Sequence, residues 1–338
     1  MKKSCDIASQ RLDWANKALS ECRLCPRDCR VNRIAEKLGW CGAGAQVQYY
    51  KEFVHYGEEP DLSPSHTVYL KHCNLQCLFC HTACERNTAA AIYLTPNRLK
   101  EIVEHGRSRG ARNLNILGGE PMVNLPGLLK IFAEVGTSCP IIWNTNLYCS
   151  ETALELVAGI PDVYLADLKF GNAVCAKKLA DSDDYWDVVR TRLIDLESCE
   201  GKNKIIVRHL VMPGHIECCT RPVLEWMAKK LTGVRLSLGL NYLVMPGARN
   251  DPHLKRFLTE SERFQAEKIA NTLGLHLVQR GNPSLYRDML AHNEGGYCFD
   301  DVDFILSPDG RIFVQHPTRG ATDLALNVAE NYTESNIP

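Results

Sequence analysis

The chain reads TVYLKHCNLQCLFC from Thr67 to Cys80. The apolar run Thr67–Lys71 comes first, and its β-branched and aromatic residues are typical of a buried strand. Cys73, Cys77 and Cys80 follow it directly. The three thiols are therefore expected on the loop at the carboxyl end of that strand, which is where the active sites of βα barrels lie.

Outward from this stretch, short apolar runs alternate with helical patterns, which is typical of repeated βα units. Strands are predicted at Thr67–Lys71, Leu114–Leu117, Ile141–Thr145, Val163–Leu168, Ile205–Val211 and Leu236–Val244. Helices are predicted at Arg98–Ser108, Pro126–Val135, Thr152–Val157, Tyr185–Ser198 and Pro222–Leu231. Continuously apolar strands indicate a parallel sheet covered by helices, and six units are fewer than the eight of a closed barrel. The sequence predicts an α/β fold, a partial, open (β/α)6 barrel.

The predicted barrel core, residues 63–246, has an extension on each side. Residues 1–62 are expected to form an irregular, cysteine-rich N-terminal extension. Residues 247–338 are expected to form a C-terminal extension that ends in a polar tail from about Thr322. Its predicted elements are a helix near Ser261–Leu273, a strand near Leu275–Gln279, and a β-hairpin of Val302–Leu306 and Arg311–Gln315 around the turn Ser307–Gly310.

The 338 residues carry 39 basic and 40 acidic side chains, for a net charge of −1. Such a balance gives no global field for nucleic acid or an anionic membrane, so neither is expected as a partner. No apolar run approaches the ~20 residues of a membrane span, and no signal-peptide core follows the first residues. A cytoplasmic location is expected.

Sixteen cysteines are the unusual feature of the composition. In a reducing compartment structural disulfides are uncommon, which makes metal ligation the leading explanation. Seven lie close together in sequence, in the sets 22, 25, 29, 41 and 73, 77, 80. The others are expected to be mostly buried free thiols that pack as small apolar side chains. They are Cys5, Cys139, Cys149, Cys175, Cys199, Cys218, Cys219 and Cys298, with Cys84, close to the second set, left open.

The spacing C-x3-C-x2-C of Cys73, Cys77 and Cys80 offers three thiolates. A [4Fe–4S] cluster is normally held by four cysteines, so three leave one iron open to another ligand. A single C-x-x-C pair would be equally compatible with zinc or a thioredoxin-like site. The three-cysteine spacing after the first strand of a βα series indicates an iron–sulfur cluster with an open position.

This spacing and its context, across roughly residues 22–245, resemble the radical S-adenosylmethionine (SAM) superfamily. The resemblance implies that SAM chelates the open iron and that its reductive cleavage releases a 5′-deoxyadenosyl radical, which abstracts hydrogen from a substrate. Phe79 matches the aromatic residue that shields the cluster near the adenine. Gly118, Gly119 and Glu120, in Gly-Gly-Glu-Pro after the second strand, match the motif that meets the SAM ammonium. Glycines let the main chain approach a ligand closely, and a carboxylate complements the cation.

Polar residues end the later strands too, and here the chain looks like the pyruvate formate-lyase activating enzyme-like branch. By position, the resemblance implies roles in binding SAM and a monovalent cation for Asn144, Thr145, Asp167, Lys169 and Arg208. Glu58-Glu59-Pro60 belongs to the same pattern, whereas His81-Thr82 and the Gly-Gly-Glu-Pro segment depart from it. An external one-electron donor of flavodoxin or ferredoxin type is implied, and a protein or peptide substrate is possible in this branch. No catalytic acid–base pair is assigned.

Cys22, Cys25, Cys29 and Cys41 offer four further soft ligands. Such a set suits tetrahedral zinc or a mononuclear iron, and another Fe–S cluster is conceivable. Four ligands would close the site, so a structural knuckle that holds the N-terminal arm over the barrel is predicted, with a redox relay or a substrate contact as alternatives.

Other interpretations remain open at several positions. Glu120 is also compatible with an ordinary turn, Asp167 and Lys169 with a solvated pair, and His209 with a satisfied buried histidine. For the whole chain, three functions remain: activation of a glycyl-radical partner, radical modification of another peptide or small molecule, and a metal-binding scaffold without catalysis.

Overall fold

The computed structural model describes residues 2–55 and 57–278 and the short strands at 303–306 and 312–315. The helices are α1 Lys2–Gln10, α2 Leu12–Ser20, α3 Ala83–Thr88, α4 Pro96–Ser108, α5 Pro121–Glu134, α6 Glu151–Val157, α7 Ala173–Ala180, α8 Tyr185–Glu200, α9 Arg221–Lys230 and α10 Glu260–Thr272. The strands are β1 Gln48–His55, β2 Ser65–Leu70, β3 Ile92–Tyr93, β4 Asn113–Gly118, β5 Ile141–Thr145, β6 Val163–Asp167, β7 Ile205–Leu210, β8 Arg235–Gly239, β9 His276–Leu277, β10 Asp303–Leu306 and β11 Ile312–Gln315.

One nine-stranded sheet has the order β3-β1-β2-β4-β5-β6-β7-β8-β9. From β2 to β9 every neighbouring pair is parallel, and the helices lie in the connections between the strands. The six strands predicted from the sequence are β2, β4, β5, β6, β7 and β8. The predicted partial (β/α)6 barrel is therefore confirmed.

The two faces of the sheet differ in what covers them. Trp143, Tyr164 and Val207 pack in the main core against the helices. Their neighbours Ile142, Leu165 and Ile206 belong to a second, small core on the other face. Because side chains alternate along a strand, the residues in step with this second set share the concave inner face. They include Asn144, Asp167 and Arg208.

The N-terminal extension is irregular only between α2 and β1, so the expectation that it is irregular throughout was wrong. It begins with α1 and α2, which pack against α5, and it ends with β1, which pairs antiparallel to β2. Each helix has nine residues, and the buried side chains include Ala8, Ala15 and Leu19. So few and such small apolar residues give a weak helical pattern, and tertiary packing stabilises the helices instead.

The apolar run predicted as the strand Leu236–Val244 pairs only as far as Gly239. Beyond it, Tyr242 is buried and donates its hydroxyl to Leu254 O at 2.8 Å, so a loop covers the run in place of a strand. The C-terminal helix and edge strand are present as α10 and β9, and β10 pairs antiparallel to β11 as predicted for the hairpin. Its turn Ser307–Gly310, Cys298 and the polar tail lie outside the described residues. Within the described part of the chain, no helix combines the length and apolarity that a membrane span requires.

Candidate functional site

Cys73–Cys80, hereafter the cysteine loop, leaves the carboxyl end of β2 and is held in place by backbone hydrogen bonds. Gln76 N donates to Ala180 O at 3.2 Å and Leu78 N donates to Leu179 O at 2.9 Å, both at the end of α7. Cys73, Cys77 and Cys80 are each intermediate in exposure, taken over the whole residue. The loop is thus anchored by its main chain at the carboxyl end of β2.

Gly118 and Gly119 pack directly against the end of β2 and the residues that lead into this loop. Gly118 has φ +106°, and a Cβ there would lie 2.4 Å from Leu70 N. A Cβ on Gly119 would lie 1.9 Å from His72 O. Only glycine allows this approach, and the contact is fixed by Glu120 N, which donates to His72 O at 2.8 Å.

Glu120 is 1% exposed and its carboxylate already has three partners. Oε1 accepts from Met122 N at 2.9 Å and from Thr145 Oγ1 at 2.6 Å, and Oε2 accepts from Asn146 N at 2.7 Å. Burial nevertheless outweighs these donors and raises the pKa of Glu120 to about 7. Glu120 therefore caps α5 and binds the end of β5. Thr145 supplies one of the hydrogen bonds from β5 to this carboxylate.

Asn146 is a residue that the sequence analysis did not assign. Its Nδ2 lies 3.7 Å from Cys73 Sγ and 2.9 Å from Asn74 Oδ1, so it donates toward one of the predicted cluster ligands. Its place in the Asn144–Asn146 run was the available signal. On the other side, Thr82 Oγ1 lies 3.5 Å from Cys80 Sγ and donates to Gly118 O at 3.0 Å. N–H and O–H donors near cluster sulfurs tune the potential of such sites.

Two thiols of the cysteine loop, those of Cys73 and Cys77, do not ionise readily without a metal. Burial raises the pKa of Cys73 above its usual value and that of Cys77 to about 12. Metal binding would have to displace these protons. A donor set of three thiols on one loop, with amide and hydroxyl groups beside them, fits a cluster that is ligated by three cysteines.

Asp167 and Lys169 form an ion pair at the end of β6, with side chains only 24% and 19% exposed. Burial alone would lower the pKa of Lys169, but the Asp167 carboxylate raises it above its usual value. The electrostatic influence of Lys169 reaches Cys77. The solvated-pair interpretation is therefore not what the structure shows, because the pair is largely buried beside the cysteine loop.

Arg208, on the inner face of the sheet, is held by two buried carboxylates. Its Nε donates to Glu59 Oε1 at 2.8 Å, and its Nη2 bonds to Glu58 Oε2 and to Glu59 Oε2. Burial would raise the pKa of Glu59, but Arg208 lowers it well below its usual value. Asn144 occupies the same face, half-buried. Arg208 thus connects β7 to the Glu58-Glu59 segment.

Phe79 and His209 are both packed into the protein. Phe79 is 5% exposed and meets Phe170 edge to face at 5.9 Å. The Nδ1 of His209 donates to Leu168 O at 2.7 Å, and its Nε2 bonds to Thr220 Oγ1 at 3.1 Å. Burial lowers the pKa of His209 to about 4. Both ring nitrogens of His209 are satisfied, as in the structural interpretation of this residue.

The N-terminal cysteines lie near one another around Arg33. Arg33 Nη2 is 2.9 Å from Cys22 Sγ and 3.7 Å from Cys41 Sγ, and Trp40 N donates to Cys29 Sγ at 3.3 Å. Burial raises the pKa of Cys25 to about 11. A second metal site at these four residues stays a prediction.

Elsewhere in the described part of the chain, two sets of side chains place their ligand atoms within 4.8 Å of one another. One comprises Cys175, His215 and Cys218, hereafter the Cys175 group, and the other comprises Glu52, His66 and His105. Cys175 and Cys218 had been expected to be isolated buried thiols. The structure instead brings them together, with Cys219 Sγ 4.0 Å from Cys218 Sγ.

Comparisons with known proteins agree with an iron–sulfur site. Residues 65–173 match the family described as a 4Fe-4S single cluster domain. The chain is 30% identical, over 284 residues, to the uncharacterised protein MJ0674 of Methanocaldococcus jannaschii, covering 81% of each protein.

Two solved structures show a lower likeness, at 16% identity. For SuiB of Streptococcus suis bound to the precursor peptide SuiA, the TM-score is 0.47, with 64% of this chain and 49% of SuiB covered. For a radical SAM methyltransferase of Sphaerobacter thermophilus it is also 0.47, with 64% and 66% covered. The chain thus spans about half the length of SuiB and just under two thirds of the methyltransferase. Overlap at this level is partial and says nothing about substrates.

Proposed function

This chain belongs to the same family as the protein MJ0674 of Methanocaldococcus jannaschii, and from its site we propose that it is a radical SAM enzyme. The observation that carries the proposal is the cysteine loop at the carboxyl end of β2, locked against Gly118 and Gly119 at the end of β4. Cys73, Cys77 and Cys80 would hold a [4Fe–4S] cluster and leave one iron without a protein ligand. When bound, the cluster supplies the electron that cleaves SAM reductively.

The chain's own residues divide into two roles in this proposal. Glu120 and Thr145 bind each other and fix the ends of β4 and β5, so the main chain of Gly118 and Gly119 is presented to SAM at a defined place. Asn144, Asp167 and Arg208 share the concave inner face, and Lys169 pairs with Asp167 at its rim. Their amide, carboxylate and cationic groups are the proposed contacts for SAM. Phe79 shields the loop from within the core.

The barrel's contribution is position and the exclusion of water. A primary alkyl radical reacts with whichever C–H bond lies nearest, so a substrate must be held in one orientation at the mouth. No protein acid–base pair is required for this step. The reductant is an external one-electron donor of flavodoxin or ferredoxin type.

The proposal is tested by an anaerobic assay with SAM and dithionite, in which 5′-deoxyadenosine, iron and acid-labile sulfide are quantified together. About four irons and four sulfides per chain and steady release of the nucleoside are expected, with more iron if the N-terminal cysteines also bind it. Zinc without labile sulfide, and no nucleoside, would instead identify a metal-binding scaffold.

A glycine of a partner protein is the substrate that the sequence resemblance favours, and Glu58-Glu59-Pro60 is one part of that resemblance. Glu59 binds Arg208, one of the residues proposed to contact SAM. Electron paramagnetic resonance of candidate partners would detect a persistent glycyl radical. A permanent mass change in a peptide or small molecule, without such a signal, would show the alternative radical modification.

A further inference from the structure

The Cys175 group is assembled by two segments that lie far apart in sequence. Asn172 caps α7 by accepting from Cys175 N at 2.8 Å, which places Cys175 in the first turn of the helix. His215 and Cys218 come from the connection between β7 and α9, where Ile216–Thr220 form a single π-helical turn. Such turns are frequent at functional sites.

The sulfur separation fits one metal ion rather than a disulfide. Cys175 Sγ and Cys218 Sγ are 3.7 Å apart, far beyond the ~2.05 Å of an S–S bond. With Zn–S bonds of about 2.3 Å, two thiolates of a tetrahedral site are roughly 3.8 Å apart. The two thiols therefore already occupy one edge of such a tetrahedron.

One ring nitrogen of His215 lies within 4.8 Å of both sulfurs, and a hydrogen bond at Nδ1 fixes the tautomer of the ring. A carbonyl can only accept, so Nδ1 must carry the proton that it shares with Pro213 O at 2.8 Å. The neutral ring then has its lone pair on Nε2. Metal-binding histidines are commonly fixed in this way, through a hydrogen bond from the other nitrogen to a backbone carbonyl. The ring is further held edge to face by His253, with 5.7 Å between centroids.

Amide and thiol groups complete the surroundings. Asn172 Nδ2 lies 3.3 Å from Cys175 Sγ and 3.9 Å from Cys219 Sγ, where its N–H groups would stabilise thiolates. Cys219 is 1% exposed, and its amide donates to His215 O at 3.0 Å. Its sulfur lies 4.0 Å from that of Cys218, which makes it a candidate for a fourth ligand.

We propose that Cys175, His215 and Cys218 form a further metal site, separate from the cysteine loop and from the N-terminal cysteines, that takes a soft divalent cation such as Zn²⁺. The donor set of two thiolates and one imidazole is typical of zinc. The ion joins α7 to the connection after β7. The end of α7 in turn accepts hydrogen bonds from the cysteine loop, at Leu179 O and Ala180 O. The ion therefore has a structural role, because it stabilises the segments that support the cysteine loop of the proposed active site.

The first test is the zinc content of the full chain, purified anaerobically with its iron–sulfur centre intact. Cys175→Ser, Cys218→Ser and His215→Gln are each expected to lose about one zinc per chain relative to wild type. The N-terminal cysteines can also hold metal, but they are present in every variant and cancel in the difference. Cys199→Ser, an exposed thiol outside both groups, is the matched control and should keep its zinc. Equal zinc in wild type and all three variants would overturn the proposal.

A second measurement needs no variant and covers the case in which a substitution prevents folding. The wild-type chain is stripped of zinc with a chelator and then alkylated with and without added excess Zn²⁺, and the labelled peptides are identified by mass spectrometry. Zinc should slow labelling of Cys175 and Cys218 at least tenfold, while Cys199 is labelled equally in both samples. Equal labelling with and without zinc, or a Cys175–Cys218 disulfide in the anaerobic protein, would contradict the site. Both readouts are independent of SAM cleavage, so failure of one proposal leaves the other intact.

Discussion

The cysteine loop and the Cys175 group both gather thiols beside α7, but they are built in different ways. In the loop, three cysteines lie within eight residues, and local chain geometry keeps them together. In the Cys175 group, the two thiols that lie 3.7 Å apart are separated by 43 residues, and only the packing of α7 against the connection after β7 unites them. A dense cysteine motif therefore predicts one kind of metal site from the sequence, whereas the other proposed site uses cysteines that are far apart in sequence and meet only in the folded protein.

The largest difference between the two regions is expected in SAM cleavage. Cys77→Ser removes a proposed cluster ligand and should lower 5′-deoxyadenosine formation at least ~100-fold, because an incompletely ligated cluster is lost. Cys199→Ser should retain the wild-type rate. The nucleoside is quantified by liquid chromatography after anaerobic reconstitution. A Cys77→Ser protein with full activity would remove the loop from the proposed site.

Gly119→Ala tests the tight contact between the loop and the end of β4. Its Cβ would lie 1.9 Å from His72 O, so the two segments must separate, at a cost of about 3 kcal/mol in the free energy of unfolding. A fall in melting temperature of roughly 4 °C is expected for a chain of this length. Gly44→Ala is the control, because a Cβ there meets nothing within 4 Å. Equal melting temperatures for the two variants would show that this contact is not tight.

Glu120 should make stability depend on pH in the cluster-free protein. Its pKa is about 7 when folded and about 4.3 when unfolded, so the folded state binds more protons between these values. The stabilisation that Glu120 contributes is therefore complete below the unfolded pKa and is lost as pH rises through the folded pKa, by roughly 4 kcal/mol.

Glu120→Gln should flatten this profile in denaturant titrations between pH 4 and 8, although it also loses an acceptor for Asn146 N. Glu101→Gln, at an exposed site, should keep the slope. A Glu120→Gln protein with the wild-type slope would show that another group titrates in this window.

The smallest expected effects come from the amides that face each group of thiols. Asn172→Asp keeps the helix cap but replaces donors near Cys175 with negative charge, so zinc affinity should fall about tenfold, while iron and sulfide contents stay unchanged. Asn146→Asp, beside Cys73, should lower iron and sulfide but not zinc. Iron, sulfide and zinc are measured in both proteins. Loss of both metals from each variant would show that the two sites are not independent.

Much of the barrel was predictable from the sequence because its signals are local. The six parallel strands were identified by short apolar runs, and their ends differ from the predictions by one or two residues, except at β8. There the apolar run continued past Gly239 because a loop buries it, and hydrophobicity alone does not distinguish the two environments. The short helices α1, α2 and α7 were missed because each depends on tertiary packing more than on its own pattern, and the six-residue α3 is too short to show a helical pattern.

Local sequence was sufficient to predict the thiol spacing of the cysteine loop, the glycines that let β4 approach it, and the order of the βα units. These features follow from chain connectivity and from the conformations that each residue allows. Three contacts are visible only in the folded protein. Arg208 binds Glu59 from 149 residues away, Asn146 donates toward Cys73, and Cys175 lies beside Cys218. Such contacts depend on strand register and helix packing, which place distant residues side by side without leaving a local pattern.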